Sequence, residues 1–174
     1  MTADPSGAAG KDFVLSRVFD TPRDVLWKCF TDPEHKKQWW GPKGVSVIAS
    51  KMDLRPGGTY HYGMKVPNGS VMWGKFAYRE IEVPKRLVFI NSFSDPKGGV
   101  TRHPWSPNWP LQMLSTVTFE EQPGGKTKVT VEWTPADGSS ELERKTFDEG
   151  RASMTQGWGG TMENLETYLA KAKA

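Results

Sequence analysis

The chain has 174 residues, enough for one domain to bury a real core without covalent staples. Lys and Arg total 23 against 20 Asp and Glu, and the formal charge of +3 is too small to argue for nucleic acid. Cys29 is the only cysteine, which excludes an intramolecular disulfide and suits a reducing, cytoplasmic setting, and no apolar run is long enough to span a membrane.

Residues 1–12, rich in Ala, Gly and Ser with no apolar run, are expected to form a flexible lead to a single domain over residues 13–172. Phe13 to Phe19 alternates as a strand does. Thr21 then offers an N-cap with Pro22 at the first helical position, and Val25, Leu26, Cys29 and Phe30 form the apolar stripe of a short helix. Asp32-Pro33 ends that helix or starts a second turn, and Trp39-Trp40-Gly41-Pro42 closes the section.

From Val45 the pattern is an antiparallel meander: Val45–Leu54, Thr59–Lys65, Val71–Ile81, Leu87–Ser94, Leu111–Glu121 and Thr127–Thr134. Turn chemistry separates these segments, with Asn68-Gly69 the strongest hairpin signal. Asp95 to Pro110 lacks periodicity and carries Pro96, Pro104, Pro107 and Pro110, so it reads as a binding loop or lid bearing Trp105 and Trp109. Ser139 to Ala172 reads as one long amphipathic helix whose stripe is Phe147, Met154, Trp158, Met162, Leu165 and Leu169. Gly157, Gly159 and Gly160 interrupt it, each at a cost of roughly 1 kcal/mol relative to Ala, and are expected to admit the close approach of another segment.

An antiparallel sheet must cover its apolar face, and only the final helix is long enough to do so. The expected fold is therefore α+β: a curved antiparallel sheet of about six or seven strands wrapped around a long C-terminal helix, with short helices after the first strand. Curved sheet and straight helix diverge somewhere, and large side chains or a ligand must fill the gap.

Certain motifs carry a resemblance. Phe19-Asp20-Thr21-Pro22 with Trp27, Trp39-Trp40-Gly41-Pro42, Asp53-Leu54-Arg55-Pro56-Gly57-Gly58, Gly74 to Ile81 with Pro84, and Gly157-Trp158 ahead of Tyr168-Leu169 occur in this order. In these the chain resembles the START-like (Bet v 1-like, helix-grip) superfamily, in the branch named after the activator of heat-shock-protein-90 ATPase. The resemblance implies the helix-grip fold and a cavity between sheet and helix. It also makes a chaperone a possible partner, although the activators' further N-terminal domain, which supplies much of their chaperone contact, has no counterpart in the short lead. A cyclase or dehydratase is the third reading the superfamily allows.

The residues themselves offer little chemistry. His35, His61 and His103 are far apart and form no ligand pair, so no metal and no cofactor is expected. Cys29 sits among apolar neighbours and reads as an inert core thiol. Lys36, Lys37, Lys43 and Lys51 read as a solvated surface rather than a nucleic-acid site. Catalysis would have to draw on His61, Tyr62 and Arg102.

What remains is an apolar constellation. On Val71–Ile81, Met72, Gly74, Phe76 and Tyr78 are expected inside, because the alternate set carries Lys75 and Arg79. With Trp40, Tyr60, Tyr62, Phe89, Phe93 and Met113, and with Met154, Trp158 and Met162 from the helix, these form the expected ligand wall, and Asn91 and Tyr62 supply polar handles. The expected partner is a small hydrophobic molecule, with no membrane and no nucleic acid. Monomer and homodimer stay open.

Overall fold

The computed structural model describes residues 12–173, so the expected lead lies outside the described residues except for Asp12. The element order is β1 (Phe13–Phe19), α1 (Arg23–Thr31), α2 (Pro33–Lys36), β2 (Ser46–Met52), β3 (Thr59–Lys65), β4 (Val71–Glu82), β5 (Arg86–Ser94), β6 (Val100–Thr101), β7 (Met113–Gln122), β8 (Lys126–Pro135), α3 (Glu141–Glu149) and α4 (Arg151–Lys173). The strands form one antiparallel sheet in the order β1-β8-β7-β5-β4-β3-β2, with β6 a short addition beside β5. This is the expected helix grip. No helix of the described residues is long and apolar enough to cross a membrane.

The inner face of the sheet follows from alternation. Leu15, Arg17 and Phe19 point in from β1; Tyr60 and Tyr62 from β3; Phe76 and Tyr78 from β4; Val117 and Phe119 from β7; Val129 and Val131 from β8. Phe119 anchors the short helices, with edge-on contacts to Trp27 at 5.4 Å and Phe30 at 5.1 Å between ring centroids. The Trp39 ring packs 4.7 Å from Phe30, and its indole N–H donates to the Cys29 carbonyl at 3.1 Å. Burial pushes the Cys29 thiol up to about 11, in keeping with an inert core cysteine.

The structure corrects the sequence reading at several places. The final segment is two helices, not one: Gly150 caps α3 with φ −90° and ψ 8°, and α4 starts at the next residue. The Trp109 ring lies against the bare Cα of Gly150, where a Cβ would come within 2.7 Å of it. Pro22, not Thr21, is the N-cap of α1; Thr21 is buried, and its carbonyl accepts a hydrogen bond from the Thr127 hydroxyl at 2.7 Å. Of the helix glycines, only Gly160 is approached, by the Pro42–Lys43 backbone, while a Cβ at Gly157 or Gly159 would meet nothing within 4 Å. Lys36 is not solvated but 2% exposed.

Several polar ties set α4 against the rest. The Asn164 amide donates to the Gly41 carbonyl at 2.9 Å, and Lys43 pairs with Glu163 at 2.6 Å. His35 Nδ1 and the Tyr168 hydroxyl share a hydrogen bond of 2.6 Å. Among the strands α4 runs closest to β1. Its first half therefore stands away from β3, β4 and β5, and a gap opens there.

Candidate functional site

The gap is a cavity of about 640 Å³. Trp40 and the Gly41-Pro42 turn close one side, and Tyr62, Phe76, Asn91, Phe93, Met113 and Trp133 rise from the sheet. Met154, Gly157, Trp158 and Thr161 face it from α4. The loop between β6 and β7 contributes His103, Ser106, Trp109 and Pro110 to the rim.

Of the wall expected from sequence, Trp40, Tyr62, Met72, Phe76, Asn91, Phe93, Met113, Met154 and Trp158 line this space. Tyr60, Phe89 and Met162 do not: they lie in the core, where Phe89 stacks on Phe76 at 4.1 Å and Tyr60 stacks on Tyr62 at 4.9 Å. Tyr60 is in register with the lining residue Phe76, and Met162 follows the lining residue Thr161 on α4, so the two sets meet rather than occupying different ends of the sheet. Trp109 serves at the rim, whereas Trp105 is 62% exposed.

Trp133 and His103 are among the lining residues that the sequence reading does not place in the wall. Trp133 continues the buried alternation Val129, Val131, so extending the inward set by one step would have found it. His103 sits on a loop without periodicity, and nothing in the sequence marks it as inward. Its ring packs 4.6 Å from Phe93, and its Nδ1 accepts the Trp105 backbone N–H at 3.0 Å. That acceptor role requires a neutral ring with its proton on Nε2, and burial lowers its pKa in the same sense.

The candidates for catalysis do not meet. Tyr62 lines the cavity, and burial pushes its hydroxyl up to about 12, so it is un-ionised at neutral pH. His61 is on the opposite face of β3, stacked on Trp73 at 5.0 Å, with its Nε2–H donating to the Asp95 carbonyl at 3.0 Å. Arg102 pairs with Glu143 at the surface. The outward stack also explains how Trp73 tolerates that face, since its ring covers Gly63 as well as His61. Among the described residues, no group of three or more His, Cys, Asp or Glu could hold a metal ion.

Indoles dominate the wall. Trp39, Trp40, Trp158 and Trp133 follow one another in edge contacts with centroid separations of 5.7, 5.4 and 5.6 Å. Gly74 makes room for Tyr62 across the strand pair, since a Cβ there would overlap the Tyr62 ring and hydroxyl. The Trp40 indole N–H approaches that hydroxyl without reaching hydrogen-bond geometry. Behind the wall lies the Lys36 amine, 4.3 Å from the Phe76 ring centroid, 4.4 Å from Trp40 and 4.6 Å from Tyr60. Among the described residues no carboxylate pairs with it, and burial holds its pKa well below the ordinary lysine value.

Residues 20–170 match the family described as "Activator of Hsp90 ATPase homolog 1-like protein". No curated protein matches the chain. Among solved structures, a protein from Nitrosomonas europaea is 26% identical with a TM-score of 0.73, covering 93% of this chain and 96% of that one. A solution structure from Arthrobacter aurescens is 23% identical with a TM-score of 0.75, covering 98% and 91%. The AHSA1 protein from Silicibacter pomeroyi is 21% identical with a TM-score of 0.67, covering 92% and 99%. The last two likenesses are of fold alone.

Proposed function

We propose that this chain, which belongs to the family of activator of Hsp90 ATPase homolog 1-like proteins, binds a small hydrophobic molecule between its sheet and its final helix. The observation that carries the reading is the cavity of about 640 Å³ walled by aromatic and methionine side chains. Specific small-molecule sites fall between roughly 300 and 1,000 Å³ and combine an apolar lining with a few polar groups. Asn91, Tyr62 and His103 are such groups here. Thioethers at Met72, Met113 and Met154 let the wall adapt to an irregular shape.

The test is solvent extraction of the purified protein with mass spectrometry of the extract, together with titration of apolar probes followed by tryptophan emission. Saturable binding that is lost on filling the cavity supports the reading; no bound molecule and no probe binding overturn it. The family's description makes a chaperone partner the second reading, for which an unchanged chaperone ATPase rate on adding this protein would be decisive against.

A further inference from the structure

Three tyrosines of the sheet turn inward, and they differ in where their hydroxyls end. The Tyr60 and Tyr78 hydroxyls are sealed in the core, on residues that are 0% and 2% exposed. Tyr62 is 8% exposed and lines the cavity, and its hydroxyl is not shut off in that way. Its place is fixed from beneath. A Cβ on Gly74 would overlap the Tyr62 hydroxyl, so the tip of the phenol lies over bare backbone of β4. Gly74 itself lines the cavity, and it is in register with Tyr62 on one side and with the lining residue Phe93 on the other. The hydroxyl therefore stands on the cavity floor, over the middle one of three strands that line it.

The phenol keeps its proton at neutral pH, since burial pushes it up to about 12, and so it has a hydrogen bond to give. The polar neighbour that approaches it cannot receive that bond, because the Trp40 indole N–H only donates. Among the described residues no acceptor takes it. His103, also in the lining, has Nδ1 occupied by the Trp105 N–H, which leaves its Nε2–H as a second donor. What these groups lack is an acceptor. The lining contains no Lys or Arg and its one carboxylate, Glu149, would repel an anion, so the acceptor that fits is neutral. A carbonyl oxygen at the end of an apolar molecule meets both demands, offering two lone pairs with no bulk beyond them. We propose that the cavity takes a neutral apolar molecule of the ketone class, its carbonyl oxygen accepting a hydrogen bond from the Tyr62 hydroxyl. This rests on the reading of the cavity as a ligand site and adds the class of ligand and the residue that selects it.

The test is equilibrium dialysis of the full chain and its Tyr62→Phe variant, with melting curves to confirm folding. The probes are 2-acetylnaphthalene, the hydrocarbon 2-isopropenylnaphthalene, which has the same shape with a methylene in place of the oxygen, and the anion 2-naphthoate. The ratio of ketone to hydrocarbon affinity should fall about tenfold in Tyr62→Phe, as the loss of one hydrogen bond to a buried acceptor implies. 2-Naphthoate should bind more weakly than the ketone. The infrared carbonyl stretch of the bound ketone adds a reading that needs no variant: it should lie below its position in hexane, and it should move back toward that position in Tyr62→Phe. An unchanged affinity ratio, a stretch at the hexane position or one that the substitution does not move, or 2-naphthoate bound more tightly than the ketone, overturns the carbonyl assignment while leaving apolar binding intact. Binding of none of the three overturns the ligand-site reading, and the carbonyl assignment with it.

Discussion

Lys36 is held by aromatic faces rather than by a counter-charge, and its energetics follow from that. Three rings at 4.3–4.6 Å attract the ammonium form, each by about 0.5–2 kcal/mol, while burial penalises that form more strongly. The folded pKa therefore lies below the ordinary 10.5, and the unfolded chain binds the extra proton between the two values. Stability rises with pH across that window and levels off above 10.5. Lys36→Met removes the titration, so urea denaturation should show a gain of roughly 1–3 kcal/mol at pH 7 and a flatter profile toward pH 10. The residue also marks a limit of reading charge from sequence. Lys36 and Lys37 are adjacent in a polar stretch, and only the turn of α2 against Trp40 and Phe76 decides which one is buried.

At the scale of elements, the rim is fastened by Glu143. Its carboxylate accepts the Ser140 backbone N–H at 2.8 Å in a capping box, accepts the Leu111 N–H at 3.1 Å, and pairs with Arg102. The N-terminus of α3 and both ends of the loop carrying His103 and Trp109 thus share one side chain. The Ser140 N–H, and next the Arg102 guanidinium, hold the Glu143 carboxyl down at about 2 against an ordinary 4.5. A depressed acid stabilises the fold above its unfolded value, so this contribution is present at neutral pH and is lost as pH falls from about 4.5 toward 2. Glu143→Gln should raise amide exchange across residues 100–112 at pH 7 while leaving β7 and β8 protected; unchanged exchange in the loop would refute the tie. The strands and their pairing were legible because period-two alternation and turn residues are local signals. The break at Gly150 was not, since Gly157, Gly159 and Gly160 remain inside α4 and nothing local distinguishes the glycine that ends a helix from those that do not. Trp109 from a distant loop makes that distinction.

For the whole molecule, the cavity sets packing against use. Close-packed interiors are the rule, and residual space costs stability in proportion to its volume. Gly157 lines the cavity from α4 with nothing within 4 Å of a Cβ built on it. Gly157→Leu should therefore gain about 1 kcal/mol from helix propensity and more from burial, raising the melting temperature. The same side chain should abolish probe binding in the titration. A stabilised variant that still binds would show that ligands sit elsewhere. Sequence reached much of this wall because gripping a helix forces the inner set of each strand toward it. Tyr60, Phe89 and Met162 pack into the core instead of lining the space, because alternation fixes the face a side chain takes but not which neighbours cover it there.

The row of indoles has an optical consequence. Trp39, Trp40, Trp158 and Trp133 adjoin at 5.4–5.7 Å, close enough for excitation to pass among them before any one emits. Trp40, Trp158 and Trp133 line the cavity and Trp39 adjoins them from the core, so a quencher bound in the cavity should dim all four. Removing one indole should change the near-ultraviolet circular dichroism by more than a quarter share, and the protein's own light becomes its occupancy gauge.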